Sequence, residues 1–333
     1  RKSSLGARIP KASDGASPVV CGCTNHTAQL PAFPSSPPRL SVVPTALHVI
    51  RPRGERAFPD LGEVWRFREL CFALGRRDVT LRYRQTLLGV VWVVLQPLIA
   101  GGLFAVVFGK IAGLKSEGVP YFAFAYAGFI AWGAFQNVLS RSSSALLAQS
   151  NLVTKVYFPR LVLPISTLFS SFVDFAVGLG SLGVLLVIFR VNPGWPLLTL
   201  PFWVFILHAM GLGLGTLASA FTVRFRDLNY ALPILTQLLM YASPVAYSTT
   251  VIPIQYRRYF LLNPLSGALD GFRWSVLGTS APGVTGTVIA LAGAICRLFI
   301  GAAIFARYER QLAAVRSGPT SHCLQRTGDG RPP

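Results

Sequence analysis

Apolar residues are not spread evenly along this chain; they gather into long stretches broken by short polar ones. No Asp, Glu, Lys or Arg occurs at positions 85–109, 118–140, 191–223 or 228–256. Two more stretches carry one charge each, 161–189 with Asp174 and 274–306 with Arg297. Crossing ~30 Å of hydrocarbon takes ~20 mostly apolar residues in a helix, and all six stretches are long enough. The pattern predicts an all-α integral membrane protein with spans at about 87–109, 119–141, 161–189, 197–222, 229–250 and 284–306.

Shorter periodicities predict elements outside the spans. Pro59, Asp60 and Glu63 make a capping-box start, and Val64, Phe67, Leu70, Cys71 and Leu74 then recur at helical spacing, with Arg66, Arg68 and Glu69 on other faces. This reads as an amphipathic helix lying in the headgroup plane, ended by Gly75 and followed by the basic run from Arg76 to Arg84. Between spans five and six, Asn263-Pro264 is a good helix start, with Leu265, Leu269, Phe272 and Val276 forming one apolar stripe. That helix is too short to span, so it is expected at or dipping into the outer face. An outer gate and simple interfacial packing are equally good readings of it. Inside span one, Gln96-Pro97 removes a backbone hydrogen bond and invites a kink.

Residues 1–56 differ in kind. They are rich in Pro, Ser and Arg, lack periodicity and cannot offset the entropy of ordering, so they are read as a disordered or non-native extension. Residues 57–312 form the membrane domain, and 313–333 a cytoplasmic tail.

Composition agrees with a membrane protein: hydrophobic residues make up 52% and charged residues 13%. The net charge of +19 does not mark a nucleic-acid surface, because the basic residues sit in termini and short loops. They report orientation. With the amino terminus cytoplasmic, fifteen Lys and Arg flank the inner span ends and six the outer ones. Both termini are therefore expected in the cytoplasm. The five cysteines are scattered, and Cys21, Cys23 and His26 lack a fourth ligand, so no metal site is expected. No catalytic constellation and no GxxxxGK[ST] phosphate loop occurs, which predicts a non-enzyme.

Four cytoplasmic junctions stand out. The first runs from Arg77-Asp78 through Arg82-Tyr83-Arg84 to Gly89, with Trp92 and Leu95-Gln96-Pro97 just beyond. The second is Asn151, Leu152, Val153, Thr154, Lys155, Val156, Tyr157, Phe158, Pro159 and Arg160. The third begins at Arg224 and holds Arg226-Asp227-Leu228-Asn229-Tyr230, continuing to Ser243-Pro244; the fourth is Asn263-Pro264-Leu265. Together they resemble the permease subunit of ABC-2 type exporters for lipid-linked polysaccharides such as O-antigen, capsule and teichoic acid, over about 49–312.

The resemblance implies a permease for polyprenyl-diphosphate-linked polysaccharide in the bacterial inner (cytoplasmic) membrane. It also implies a second copy of the chain and two copies of a separate ABC ATP-binding subunit, which would hold the ATP and Mg; this chain would carry no cofactor. Residues 151–160 would be the coupling helix that seats in the motor. Leu152, Val156 and Tyr157 give it an apolar face, and Pro159 ends it, because the residue before proline avoids the helical region. Arg224, Arg226 and Asp227 would make a second, smaller contact.

Three further sets of residues are candidates. Arg76, Arg77, Arg82 and Arg84 would sit near the carrier diphosphate, although orientation alone also explains them. Aromatic rings stack on sugars, and Trp92, Tyr126, Phe129 and Tyr241 are taken as path lining, against the general crowding of aromatics at membrane interfaces. Asp174 and Arg297 lie at depths that differ by roughly 6 Å at 1.5 Å per residue. Since intramembrane charges are usually paired or face water, they are expected to pair or share a hydrated pocket. Competing readings are a drug or lipid permease of the same type, a motor-independent secondary transporter, and a membrane scaffold. No internal repeat of the secondary-transporter kind is visible.

Overall fold

The structure is a computed structural model and describes residues 61–84, 89–114, 116–150, 152, 158–225 and 227–316; every regular element among them is helical. Two short helices come first, α1 (Leu61–Arg66) and α2 (Arg68–Arg84). α3 (Gly89–Phe104) continues through a π-helical segment, Ala105–Ile111. α4 (Tyr121–Ala148), α5 (Val162–Ile188) and α6 (Leu200–Arg224) are long, and α6 is entered through a 3-10 turn at Trp195–Thr199. After α7 (Leu228–Tyr241) come a 3-10 turn, α8 (Ile254–Leu262) and α9 (Pro264–Leu277), then α10 (Val284–Arg316).

Five helical segments are long and apolar enough to cross a membrane: Val91–Ile111, Tyr121–Ala148, Val162–Ile188, Trp195–Thr222 and Val284–Tyr308. They coincide with five of the six expected stretches. The remaining one, 229–250, is helical only to Tyr241, and its 14 residues reach about 21 Å at 1.5 Å each. Pro244 ends it, since the residue before a proline is pushed out of the helical region. The carbonyls of Pro244 and Tyr247 turn instead to the Arg273 guanidinium. The chain nevertheless continues toward the end of the bundle that holds Tyr121. Ser243 Oγ accepts from Asn263 Nδ2 at 3.0 Å, and Ser248 Oγ donates to Glu117, just before α4.

α4 is the centre of the bundle, with 72% of its most apolar window buried, whereas α3 has 6%. Glycines let the long helices approach. On α6, a Cβ at Gly211 would come within 2.6 Å of the Phe135 carbonyl of α4, and one at Gly213 within 2.5 Å of the Arg297 backbone of α10. Such close small-residue packing does in lipid what apolar burial does in water, because helix association there depends on van der Waals contact.

The residues of the expected stripe pack against protein. Val64, Phe67, Leu70, Cys71 and Leu74 pack with Ala145, Leu146, Phe158, Leu161, Val162, Leu163, Ala220 and Phe305, near the ends of α4, α5, α6 and α10 that hold Ala148. Trp65, Phe72 and Leu81 remain outward. Gly75 does not end the helix: α2 runs through it to Arg84, and a Cβ there would lie 2.7 Å from Phe169 Cβ and 2.9 Å from the Ser166 carbonyl. The glycine marks a close crossing of α2 over α5. Asp60, the expected cap, lies outside the described residues.

α9 starts where the sequence places it. Asn263 Oδ1 accepts from the Leu265 amide at 3.1 Å, and Pro264 is the first helical residue. Leu265, Leu269, Phe272 and Val276 are all buried. Its two ends sit at different levels: Pro264 lies against Gly293, well inside α10, while Gly278 lies against the Asn192 and Pro193 carbonyls.

Candidate functional site

Helices α2, α4 and α5 line an open cleft of about 430 Å³ at the Ala148 end of the bundle. α2 contributes Asp78, Leu81 and Arg82; α4 contributes Arg141, Ser144 and Gln149; α5 contributes Ser166, Thr167 and Ser170. The hydroxyls are held against their own helices: Ser166 donates to Leu163, Thr167 to Pro164 and Ser170 to Thr167. Of these hydroxyls, Ser170 also accepts from Arg141.

Those arginines converge on a carboxylate. Arg141 Nη2 and Arg82 Nη1 both reach Oδ2 of Asp174, Arg82 at 2.9 Å. The Tyr83 hydroxyl donates to Oδ1 at 2.5 Å, and Arg141 Nη1 donates to Ser170 Oγ at 2.7 Å. Asp174 has only 2% of its side chain exposed, against 21% for Arg141 and 42% for Arg82. A buried carboxylate needs such partners, because an uncompensated ion in the interior costs several kcal/mol. Burial pushes the Tyr83 phenol above its ordinary pKa, and its bond to Asp174 adds to the shift, so it stays a donor. Burial likewise raises the Asp78 carboxyl, with Arg77 acting the other way.

This arrangement replaces the expected Asp174–Arg297 contact. Arg297 bonds back to the Gly293 carbonyl of its own helix at 3.4 Å, and its backbone faces Gly213 of α6. Depth along a helix can be counted from sequence, but the direction a residue faces around the bundle cannot. α10 packs against α6 and α9, which leaves Asp174 to α2 and α4. Arg141 was counted in the sequence only as a charge that orients the chain. A signal was present: it is the first charged residue after the apolar run of α4, and Ser142, Ser143 and Ser144 follow it.

The other candidate residues fall into three groups. Arg76, Arg77 and Arg84 are exposed along α2, so only Arg82 of that set enters the network. Of the four aromatic candidates, Trp92 and Tyr241 are exposed, at 55% and 58%, whereas Tyr126 and Phe129 belong to the core. The Tyr126 hydroxyl lies 2.6 Å from Ser181 Oγ, and Phe129 packs edge-on to Phe104. They are buried because α4 is covered on nearly every side, so they do not face a path in this chain. Of the coupling segment, Asn151, Val153, Thr154, Lys155, Val156 and Tyr157 lie outside the described residues. Leu152 packs on the cluster beneath α1 and α2, Phe158 is buried, and Pro159 and Arg160 are non-helical. Arg224 is exposed, with its guanidinium 5.4 Å from the Phe225 ring; Asp227 is exposed at the start of α7, and Arg226 is outside the described residues.

A second polar cluster closes the Tyr121 end. Arg273 is 1% exposed. It donates to the carbonyls of Pro244 (2.7 Å), Val245 and Tyr247, pairs with Asp270 at 3.6 Å, and lies 4.2 Å from the Phe124 ring centre. Gly128 makes room for it, since a Cβ there would strike both Val245 and Arg273. Nearby, Glu117 accepts from Ser248 and from the Ser280 amide and hydroxyl at 2.9 and 2.6 Å. Partial burial would raise its pKa, but these bonds and the Arg273 charge outweigh burial and hold it below the ordinary value. Sequence reading treated Arg273 as a loop charge; the spacing Asp270-Gly271-Phe272-Arg273 was its only local signal.

The sequence profile of the ABC-2 type transporter family matches residues 69–277. The chain is 28% identical over 213 residues to an O-antigen export system permease protein, RfbA, of Myxococcus xanthus, covering 63% of this chain and 81% of that one. An O-antigen export system permease protein of Klebsiella pneumoniae is 24% identical, with 62% and 79% covered. A polysialic acid transport protein, KpsM, of Escherichia coli is 26% identical over 248 residues, with 72% and 93% covered.

Proposed function

The chain belongs to the ABC-2 type transporter family, and from that premise we propose that it is the permease subunit of an ATP-driven exporter of polyprenyl-diphosphate-linked polysaccharide. The observation that carries this reading is its similarity, over most of their length, to permeases named for O-antigen export and polysialic acid transport. Two chemically different glycans thus share this scaffold among the relatives. A drug or simple lipid permease of the same family is the competing reading.

The protein sits in the bacterial inner membrane with both termini and the Ala148 end in the cytoplasm, as the charge asymmetry of the span flanks favours. It crosses six times: α7 and the segment to Ser248 make the fifth passage, supported by the bond from Ser248 to Glu117 near the start of α4. α8 and α9 then dip into the outer half and return. Two copies of the chain work with two ATP-binding subunits, which bind ATP and Mg. Residues 151–160 couple to them, with Arg224, Arg226 and Asp227 as a second contact. Arg76, Arg77, Arg82 and Arg84 draw the carrier diphosphate to the inner leaflet. Trp92 and Tyr241, exposed on α3 and α7, line the glycan path where two copies meet.

Co-expression with the ATP-binding subunit and reconstitution into vesicles tests the reading. The motor should co-purify, and polyprenyl-diphosphate oligosaccharide should stimulate ATP hydrolysis several-fold over polyprenyl phosphate alone. A permease that purifies without a motor, or a motor stimulated equally by short-chain lipids or drugs, overturns it.

A further inference from the structure

The exposed side of α8 differs in chemistry from the other exposed helix surfaces. Gln255, Arg258, Tyr259 and Leu262 stand at i, i+3, i+4 and i+7, which brings them to one face of the helix. All four are exposed, with Tyr256 and Arg257 exposed beside them. Only Leu262 in this set lacks a polar group. The exposed side of α10 carries Val288, Leu291, Ile295 and Phe299 instead. Hydrocarbon suits the second surface and not the first, because a guanidinium or an amide loses its hydrogen bonds there. The outward face of α8 therefore fits water or a polar partner.

Charge narrows the choice of partner. Among the described residues at the Tyr121 end, the exposed charged side chains are Lys110, Arg190, Arg257 and Arg258, all of them basic. The acids of that end are taken internally, Glu117 by Ser248 and Ser280, and Asp270 by Thr249 at 2.9 Å and Arg273 at 3.6 Å. Arg257 has an electrostatic contact with Asp270, whereas Arg258 has no hydrogen-bond or ion-pair partner among the described residues. Arginines at outer span flanks work against the orientation that the inner ones favour, so orientation does not account for them. A guanidinium fork matches a carboxylate with two parallel hydrogen bonds, and the C–H face of a sugar ring sheds water against a tyrosine.

α8 is also continuous with a surface assigned above to the glycan path. Gln237 of α7 donates to the Tyr241 hydroxyl at 3.2 Å, and the Tyr247 hydroxyl donates to the Tyr241 carbonyl at 3.2 Å. The Tyr247 ring in turn packs edge-on to Phe260 of α8, with centres 6.3 Å apart. A line of aromatic and amide groups thus leads from the exposed face of α7 to α8.

We propose that the outward face of α8 binds sugar carboxylates, with Arg258 as the principal ligand, Arg257 as a second and Tyr259 as the stacking platform, and that the permease is thereby selective for acidic polysaccharide. The proposal rests on the export reading and deepens it by naming the class of glycan. Binding is reversible and non-covalent, so each carboxylate is released as the chain advances.

Binding of oligogalacturonate and of its methyl ester is measured on full-length permease in phosphatidylcholine nanodiscs. The ester keeps every sugar ring and loses only the charge. Oligogalacturonate should bind, the ester should bind at least tenfold more weakly, and added salt should weaken the acid far more than the ester. Arg258→Gln should weaken oligogalacturonate binding about five- to tenfold and Arg257→Gln about two- to threefold. Arg258→Lys keeps the charge without the fork and should recover only part of the loss. Tyr259→Ala should weaken both probes, whereas Tyr259→Phe should bind both like the parent. Arg190→Gln, which removes a charge at the same end but outside α8, should change neither.

Equal binding of acid and ester, or Arg258→Gln binding like the parent, overturns the proposal. So does a phosphatidylglycerol nanodisc that abolishes oligogalacturonate binding while Arg258→Gln retains less phosphatidylglycerol by native mass spectrometry; the face would then hold lipid headgroups. In the reconstituted exporter, ATP hydrolysis stimulated equally by acidic and neutral lipid-linked glycans sinks this proposal alone. Oligogalacturonate binding that depends on Arg258, with no glycan-stimulated motor, sinks the export reading alone.

Discussion

Arg273 shows how a single residue can set local architecture. Its guanidinium gathers the carbonyls of Pro244, Val245 and Tyr247 where α7 has ended and no helical amides are available to them. Buried carbonyls without donors are costly, so the backbone that follows α7 depends on this side chain. Arg273→Met removes the charge that compensates Asp270 and leaves the three carbonyls unsatisfied. Breaking a buried pair by removing one partner costs about 3–5 kcal/mol. Thermal unfolding in detergent should show a clear drop in Tm, with Arg257→Met, on the exposed α8, as a near-neutral control. Equal melting of both variants would remove Arg273 from this role. In the sequence it counts as one more loop charge, because burial follows from Gly128, Phe124 and Tyr247, which lie far from it along the chain.

At the scale of elements, α9 was the most legible piece. A capping Asn, a first-turn Pro and an apolar stripe each point to the same helix, and local agreement of this kind survives into the fold. Asn263 does two tasks there, accepting from the Leu265 amide and donating to Ser243. Asn263→Ala should cost about 1 kcal/mol from the lost cap alone. Hydrogen exchange of the amides at 265–267 should rise with it, and unchanged exchange would show that the cap is dispensable. α2 was half legible. Its stripe could be read from spacing, but whether that stripe faced lipid or protein depended on α4, α5, α6 and α10. Gly75 misled because glycine breaks isolated helices, whereas here its lack of a side chain admits Phe169. α7 was misread for length, since an apolar run of 29 residues (228–256) gives no sign of where helical hydrogen bonding stops.

For the whole molecule, the six crossings proposed above would place the ends of consecutive long helices on opposite sides of the membrane. In a variant whose five native cysteines are replaced by serine, single cysteines at Gln149 and Ser280 should be labelled by impermeant reagents from opposite faces. A cysteine at Asp227 should behave like Gln149. Labelling of Gln149 and Ser280 from the same face would break the topology. The class and five of the spans could be read from hydropathy because lipid demands long apolar helices. The cleft with Arg82, Arg141 and Asp174 could not, because it exists only where three helices meet, and hydropathy ranks residues by depth without saying which way they point.

The length of α4 bears on how a soluble machine reaches an embedded one. Its 28 residues rise about 42 Å at 1.5 Å each, while the hydrocarbon occupies only ~30 Å. In the orientation proposed above, the surplus, two turns past Arg141, works as a short mast that carries Gln149 through the headgroup layer, roughly 10 Å beyond the hydrocarbon. A rigid protein docking on that tip could push sideways with leverage on the helix that most of the bundle leans on, without dipping into the bilayer itself.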